Sequence, residues 1–428
     1  MITKLAWRNI WFKPLNTILS IILLTSSVAI ITVLILLEKQ FEEKFNSNID
    51  GIDLVMGAQG SPLQLILSSV YQVDAPTGNI SFDSAKIWMQ NPMVKRAIPL
   101  AFGDNYKGFK IVGTTSEYLE KYGAVISEGK VFEKNFEVVV GSEAAQKLNL
   151  GIGDEFFGTH GSEEEGEVHE HYAYKVVGIA SATGRVVDNL IISNIPSVWQ
   201  MHGTHEEEAH RHEENLAHGE AGHIHEEGDE HEHHIDEESD MTIDEPGMEI
   251  TSVLLQMRNP MAKLTWQRII PQNTKMQAAS PAIEINRLFT LFGVGIDALR
   301  YLAYGIMLIS GISIFIALFN TLKERKNEFA LLRVNGAGRR QLLKLVLIES
   351  LLLCVLGFIF GTILGRIGLM LISRSSESDF KLSFNPYEFI WDKEGWLLVL
   401  TLLVGVIAAL IPAIKAYTLN ISKTLAYA

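Results

Sequence analysis

The stretch KERKNEFALLRVNGAGRRQLLKLVLIE, residues 323–349, lies between two long apolar runs, and its reading fixes how the rest of the chain is read. It carries Lys323, Arg325, Lys326, Arg333, Arg339, Arg340 and Lys344 against Glu324 and Glu328, before its terminal Glu349. Positive charge of that density beside apolar spans marks the cytoplasmic side of a membrane. Phe329, Leu331, Leu332 and Val334 are interleaved with the charges, the pattern of a short helix with one face for a protein groove and one for water. A plainer reading also stands: a solvated loop whose charges only set topology.

Four segments are apolar and long enough to cross a hydrocarbon core of about 30 Å. They run from Ile18 to Leu37, Tyr301 to Leu322, Leu345 to Ile372 and Trp396 to Tyr417; Glu349 and Arg366 interrupt the third. Lys4, Arg8 and Lys13 precede the first span, and Lys415 and Lys423 close the last, so both termini and the 323–344 segment are expected in the cytoplasm. The topology predicts a multi-pass membrane protein. The predicted fold is an α-helical membrane domain of four transmembrane helices with a large extracytoplasmic α+β domain inserted between the first and second spans. Lipid is therefore the first expected partner.

The first apolar run is too long for a signal-peptide core and is followed by no small-residue cleavage site. EKQFEEKF continues it in a helical pattern, which predicts a stalk over 18–45. Ile283, Ile285, Leu288, Phe289 and Phe292 predict a second stalk ahead of the next span, over 283–322, packed against the first. Residues 1–17 are expected to form a helix at the inner interface, with Trp7, Trp11 and Phe12 beside Lys4 and Arg8, and Pro14 turning the chain into the bilayer. Gly357, Gly361 and Gly365, spaced by four, share one helix face and predict close approach of another helix in the 345–372 span. Glu349 is expected to face protein or reach the interface.

The lone cysteine, Cys354, falls in the third span, so the exported region, predicted as 46–282, forms no internal disulfide. It must be held by a core, and it is long enough to build one. FEVVVGS, YKVVGIAS, VVDNLIISN and EITSVLLQM read as strands, with helices around Phe82 to Gln90 and Ser142 to Leu148, and NLGIGDEFF as a turn into a strand. A short exported loop over 373–395 and a final span with its tail over 396–428 complete the expected layout.

The chain resembles a permease subunit of the FtsX and MacB superfamily of ABC transporters over most of its length. LAWRNIWFKPLNTILSIILLTSSVAI resembles the family's opening helix and first span. VVVGSEAAQKLNLGIGDEFF, then YKVVGIASATGRVVDNLIISNIPSVW, is similar to its exported domain. NTLKERKNEFALLRVNGAGRRQLLKLVLIESLLLCVLGFIFGTILG and LIPAIKAYTLNISKTLA resemble its second to fourth spans and tail. The resemblance implies docking on a cytoplasmic ABC ATPase dimer through 323–344 and transmission of motion to the exported domain. It assigns Glu328, Leu332, Arg333, Gly336, Ala337, Arg339 and Arg340 to the coupling motif, and Glu349 to the acidic position at the start of the third span. Pairing with a second copy or a related permease is implied too. MacB itself carries a fused nucleotide-binding domain, whereas this sequence contains no G-x-x-x-x-G-K-[ST] phosphate loop, so ATP is expected on a partner chain.

A second departure is an acidic, histidine-rich insert over 201–245. All thirteen histidines of the chain lie between His160 and His234. They include His169, His171, His202, His205, His210, His212, His218, His223, His225, His231, His233 and His234. Between Met201 and Glu245 there are seventeen Asp or Glu against Arg211 alone, so the net charge of −14 belongs to this insert. Its composition predicts disorder in the absence of a ligand. Four His-x-His pairs each offer two imidazoles to one ion in extended backbone, a donor set suited to Zn, Cu or Ni. The competing reading is a solvated acidic tether. No H-E-x-x-H occurs, since position 209 is Ala.

Three functions remain open at this point. The first is an ABC permease coupling ATP hydrolysis to release or export of a lipoprotein, peptide or amphiphile. The second is an ABC assembly for divalent-metal handling through the insert. The third is a non-transporting regulator of an extracytoplasmic enzyme, which requires a soluble partner outside. No enzyme is expected, because the spans bear no paired carboxylates and the exported region has no nucleophile with an evident base. Nucleic acid is not expected as a partner, since the basic residues sit at the inner face and the exported face is acidic.

Overall fold

The computed structural model describes residues 2–12, 14–159, 168–201, 242–243, 246–380 and 384–419. They fall into two compact units, one of Met1–Glu43 with Phe289–Ala428 and one of Lys44–Leu288. The chain opens with helix α1 (Ile2–Ile10), then α2 (Pro14–Ile49). Proline at the first position of α2 costs no hydrogen bond, because that N–H has no partner inside a helix.

The Lys44–Leu288 unit is built on a mixed sheet. In chain order its strands are β1 (Leu54–Ala58), β2 (Ile80–Ser81), β3 (Val94–Tyr106), β4 (Phe109–Thr114), β5 (Ile126–Gly129) and β6 (Glu137–Val140). They continue with β7 (Glu155–Thr159), β8 (Val168–Ala180), β9 (Ile191–Asn194), β10 (Glu249–Ile250), β11 (Ser252–Met257) and β12 (Met276–Ala279). The helices are α3 (Pro62–Val70), α4 (Phe82–Met89), α5 (Glu117–Tyr122), α6 (Ser142–Leu148), α7 over 195–201 and α8 (Pro260–Asn273). Among the described residues the main sheet runs β12-β1-β11-β3-β4-β9-β6-β8-β5, with β7 bridging β3 and β8, and β2 pairs β10 separately.

Among the described residues, helices cover this sheet in two cores. Leu54, Met56, Val253, Leu255 and Met276 meet Trp266 and Ile270 of α8, Phe82 of α4 and Trp199 of α7. Ile111, Val138, Val140, Phe156, Tyr174, Val176 and Ile191 meet Ala144 and Ala145 of α6. Val138, Val139 and Val140 are all fully buried, as expected of a strand covered on both faces rather than one with alternating faces. Local chemistry starts the helices. Ser61 accepts from Gln64 N ahead of Pro62 in α3, and Asn259 accepts from Met261 N ahead of Pro260 in α8.

The other unit adds α9 (Pro281–Glu324), α10 (Lys326–Val334), α11 (Arg339–Phe380) and α12 (Trp391–Tyr417). Among the described residues, four helices are long and apolar enough to cross a membrane: α2, α9, α11 up to Ser375, and α12. Leu24, Val28 and Ile31 of α2, Ala303, Met307 and Ile314 of α9, Leu345, Leu353 and Leu369 of α11, and Leu397, Ala408 and Ala409 of α12 make their shared core. Leu308, Ile312, Ile359, Ile363, Leu403 and Ile407 remain exposed, the apolar outside of a lipid-facing bundle.

The helices extend beyond the apolar runs, because backbone hydrogen bonding continues where the side chains turn polar. This shortens the expected connections. The 323–344 segment comprises the end of α9, the short α10, a turn and the first turns of α11, and within the predicted 373–395 loop α11 runs on to Phe380 and α12 starts at Trp391. Of the residues expected on the stalk face of α9, Ile285 is buried, whereas Ile283 and Phe292 are exposed.

Candidate coupling segment

Helix α10 presents two faces. Phe329 and Ala330 are buried, and Phe329 joins the core that includes Ala6 and Ile10 of α1 and Leu342, Leu345 and Val346 of α11. Leu332 packs partly against the same core. Leu331 and Val334 point away, 53% and 59% exposed, beside the exposed Lys326, Asn327 and Glu328. The apolar residues of the motif are thus divided between holding the helix down and offering a surface.

The ends of this helix are fixed locally. Arg325 donates from Nε and Nη2 to Glu328 Oε2 at 2.8 and 2.6 Å, and its guanidinium lies 5.2 Å from the centre of the Phe12 ring. At the other end Ala337 N donates to Leu332 O at 3.0 Å and Gly336 N to Arg333 O at 3.2 Å, a glycine-terminated helix stop. Gly336 has φ of +95°, which a side chain would strain. The next helix begins with Gln341 Oε1 accepting from Gly338 N at 2.9 Å, the reach-back half of a capping box. Arg339 and Arg340, exposed, sit in the first turn of α11.

Of the residues assigned by resemblance, Glu328 and Arg339 reach solvent, Leu332, Arg333 and Ala337 are half-buried, and Gly336 forms the turn. Arg333 Nε is buried with no hydrogen-bond partner among the described residues. Glu349 is 4% exposed and accepts from Asn9 Nδ2 of α1 at 2.5 Å, so it faces protein. Gly357, Gly361 and Gly365 lie against α2. A methyl group at Gly357 would stand 2.6 Å from Leu24 Cδ2, and at Gly365 2.9 Å from Ala29 O.

The family-model comparison divides the chain in two: residues 16–215 match the MacB-like periplasmic core domain, and residues 301–421 match the FtsX-like permease C-terminal domain. The chain thus carries the two domains of the FtsX and MacB type, a MacB-like periplasmic core and an FtsX-like permease C-terminal domain. The chain is 25% identical over 179 residues to an uncharacterized ABC transporter permease of Methanocaldococcus jannaschii, 42% of its own length. It thus spans 43% of the length of that curated relative. Among solved structures, the periplasmic region of MacB from Actinobacillus actinomycetemcomitans aligns at 10% identity and TM-score 0.35, covering 57% of this chain and 97% of that one. The extracellular domain of YknZ, a noncanonic ABC-type transporter from Gram-positive bacteria, aligns at 12% identity and TM-score 0.29, covering 54% and 99%.

The histidines are not brought together by any described geometry. His169 and His171 lie on β8 with side chains outside the described ones, and His160 and those from His202 to His234 lie outside the described residues. Sequence reasoning did not pair Arg366 with Glu394. Arg366 Nη2 of α11 lies 2.9 Å from both carboxylate oxygens of Glu394 at the start of α12. The available signal was an arginine inside an apolar run, whose partner the pattern alone could not name.

Proposed function

We propose that this permease docks on a separate cytoplasmic ABC ATPase through α10 and the first turn of α11, and that hydrolysis there drives work on the other side of the membrane. The work is release or export of a lipoprotein, peptide or amphiphile, with motion carried by the long helices α2 and α9. One observation carries the reading: Leu331 and Val334 stand exposed among Lys326, Glu328, Arg339 and Arg340 on a helix whose other face is locked into the bundle by Phe329. A membrane-edge helix with only a topological role has no need of an outward apolar pair framed by charge. In this reading the bacterial inner membrane holds the protein with both termini in the cytoplasm, and a second permease copy or a related subunit completes the assembly.

The test is ATPase stimulation in reconstituted membranes. Glu328→Lys with Arg333→Glu should abolish stimulation while insertion and folding persist; stimulation equal to the parent would remove docking at this segment.

The clustering of all thirteen histidines between His160 and His234 favours a second reading, in which the assembly handles divalent metal. Imidazole pairs with neighbouring carboxylates suit Zn, Cu or Ni, and the metal would be sensed or collected by the insert. Deleting 202–240 and comparing growth under chelation and under metal excess separates the two readings; equal growth in both conditions would remove the metal role.

A further inference from the structure

A groove runs along the outside of the helical bundle between α9 and α12, two of the apolar spans. Leu308, Ile312 and Phe315 of α9 form one wall, and Val404, Ile407 and Ile411 of α12 the other. The two helices touch at its floor, where a methyl group at Gly311 would stand 2.8 Å from Val404 Cγ1. Leu308, Ile312, Ile407 and Ile411 are half exposed or more, so the groove opens sideways, and it holds about 600 Å³. Apart from Tyr304 its lining carries no polar side chain. An extended peptide laid there would bring N–H and C=O groups that the groove could not satisfy, whereas a hydrocarbon chain brings none.

One end of the groove is charged. Phe319, four residues past Phe315, continues the same face of α9, with the two ring centres 5.7 Å apart. Lys415, four residues past Ile411, continues the groove face of α12, and its Nζ lies 4.3 Å from the centre of the Phe319 ring. Lys415 is exposed and has no carboxylate partner among the described residues. Lys323, four residues past Phe319, extends the α9 face at the same end. From Tyr304 to Phe315 the groove follows α9 for about 16 Å at 1.5 Å per residue. That is about half of a hydrocarbon core of about 30 Å, the depth of one leaflet. The lysine amine then stands where headgroups begin.

We propose that this groove is a phospholipid site, with an acyl chain lying between α9 and α12 and the headgroup phosphate meeting Lys415, in the leaflet on the side of α10. A span from a second copy would cover the apolar walls as well, but it would bring no anion to Lys415. The charge therefore selects the lipid. An anionic headgroup is preferred to a zwitterionic one, whose own cation opposes the lysines. The site stands apart from the docking of α10 on an ATPase and does not depend on it.

The test is photolabelling of the full chain, without any ATPase, in phosphatidylcholine nanodiscs containing a small share of phosphatidylglycerol with a diazirine midway along one acyl chain. Peptide mass spectrometry locates the adducts. They should concentrate on 304–315 and 400–411 over the comparably exposed Ile359 and Ile363 of α11, and fall when unlabelled phosphatidylglycerol is added. Ile312→Trp, at a half-exposed position, fills the groove and should remove the adducts at an unchanged melting temperature. Lys415→Gln should lower labelling about fivefold, the share of one lysine beside an anionic lipid. Labelling of α11 equal to that of the groove would mean a passing lipid only, and no labelling of either wall would mean another occupant, a second copy included; each overturns the proposal. Labelling of Lys415→Gln equal to the parent overturns the headgroup contact. With no ATPase present, none of these results bears on the docking of α10.

Discussion

Arg366 and Glu394 face each other inside the helical bundle, one guanidinium nitrogen 2.9 Å from each carboxylate oxygen, with the Glu394 side chain fully buried. Arg366 also donates to Glu388 O at 3.3 Å, and Glu394 accepts from Ile390 N at 3.3 Å. The pair joins α11 to the start of α12. Nearby, Lys39 meets Glu388 at 2.9 Å, Gln40 exchanges two hydrogen bonds with the backbone of Asn385, and Glu38 meets Arg300 and Lys393. One end of the bundle is thus stitched across all four long helices.

Removing one member should cost more than removing both. Glu394→Leu leaves a cation without its partner in a largely dry site, an effect on the order of 3 kcal/mol, whereas Arg366→Leu with Glu394→Leu should recover most of it. Thermal melting in nanodiscs checks this; equal losses in the single and double variants would mean the pair is not coupled.

Helix packing at the glycine face predicts a graded series. A methyl group at Gly361 would meet Val28 Cβ at 2.5 Å and Thr25 O at 3.0 Å, so Gly361→Ala should destabilise by about 1–3 kcal/mol through overpacking. Gly368, whose nearest neighbour would be Val33 Cγ2 at 3.6 Å, should accept Ala with no loss. The order of the two melting temperatures is the readout.

On α10, exposure separates docking from folding. Leu331→Glu and Val334→Glu should lower ATPase stimulation several-fold with an unchanged melting temperature, because neither side chain is buried in the bundle. Phe329→Ala, at a site 3% exposed, should instead lose about 3–5 kcal/mol of stability. Stimulation untouched by both surface variants would exclude this face as the docking surface.

Metal binding by the histidine-rich insert carries its own pH signature. Imidazole loses its lone pair on protonation, so bound zinc should fall as pH drops below about 6.5. Zinc measured by atomic spectrometry on the purified chain, parent against a deletion of 202–240, reads this out. Retention independent of pH would remove imidazole as the ligand.

The four spans were legible because hydropathy is summed over about twenty residues, and no fold can hide such a sum. The strands around Val138 to Val140 and Val176 were legible for a related reason: β-branched runs bounded by glycine are local signals. The interleaving of Phe329, Leu331, Leu332 and Val334 announced a short helix, yet not which of them turn inward. That division depends on α1 and on the first turns of α11, distant in sequence and adjacent only in the bundle.

By itself, then, the sequence determined the number of spans, the exported insertion, the motif between α9 and α11, and the charge that sets the histidine-rich insert apart. Only the tertiary structure decided that β1 at the start of the large domain lies between β11 and β12 at its end. It alone decided that Arg366 finds Glu394 and that Asn9 finds Glu349. The reason is physical: span and strand propensities are local sums, whereas the partner of a buried charge is set by which distant segments the packed core brings within about 3 Å.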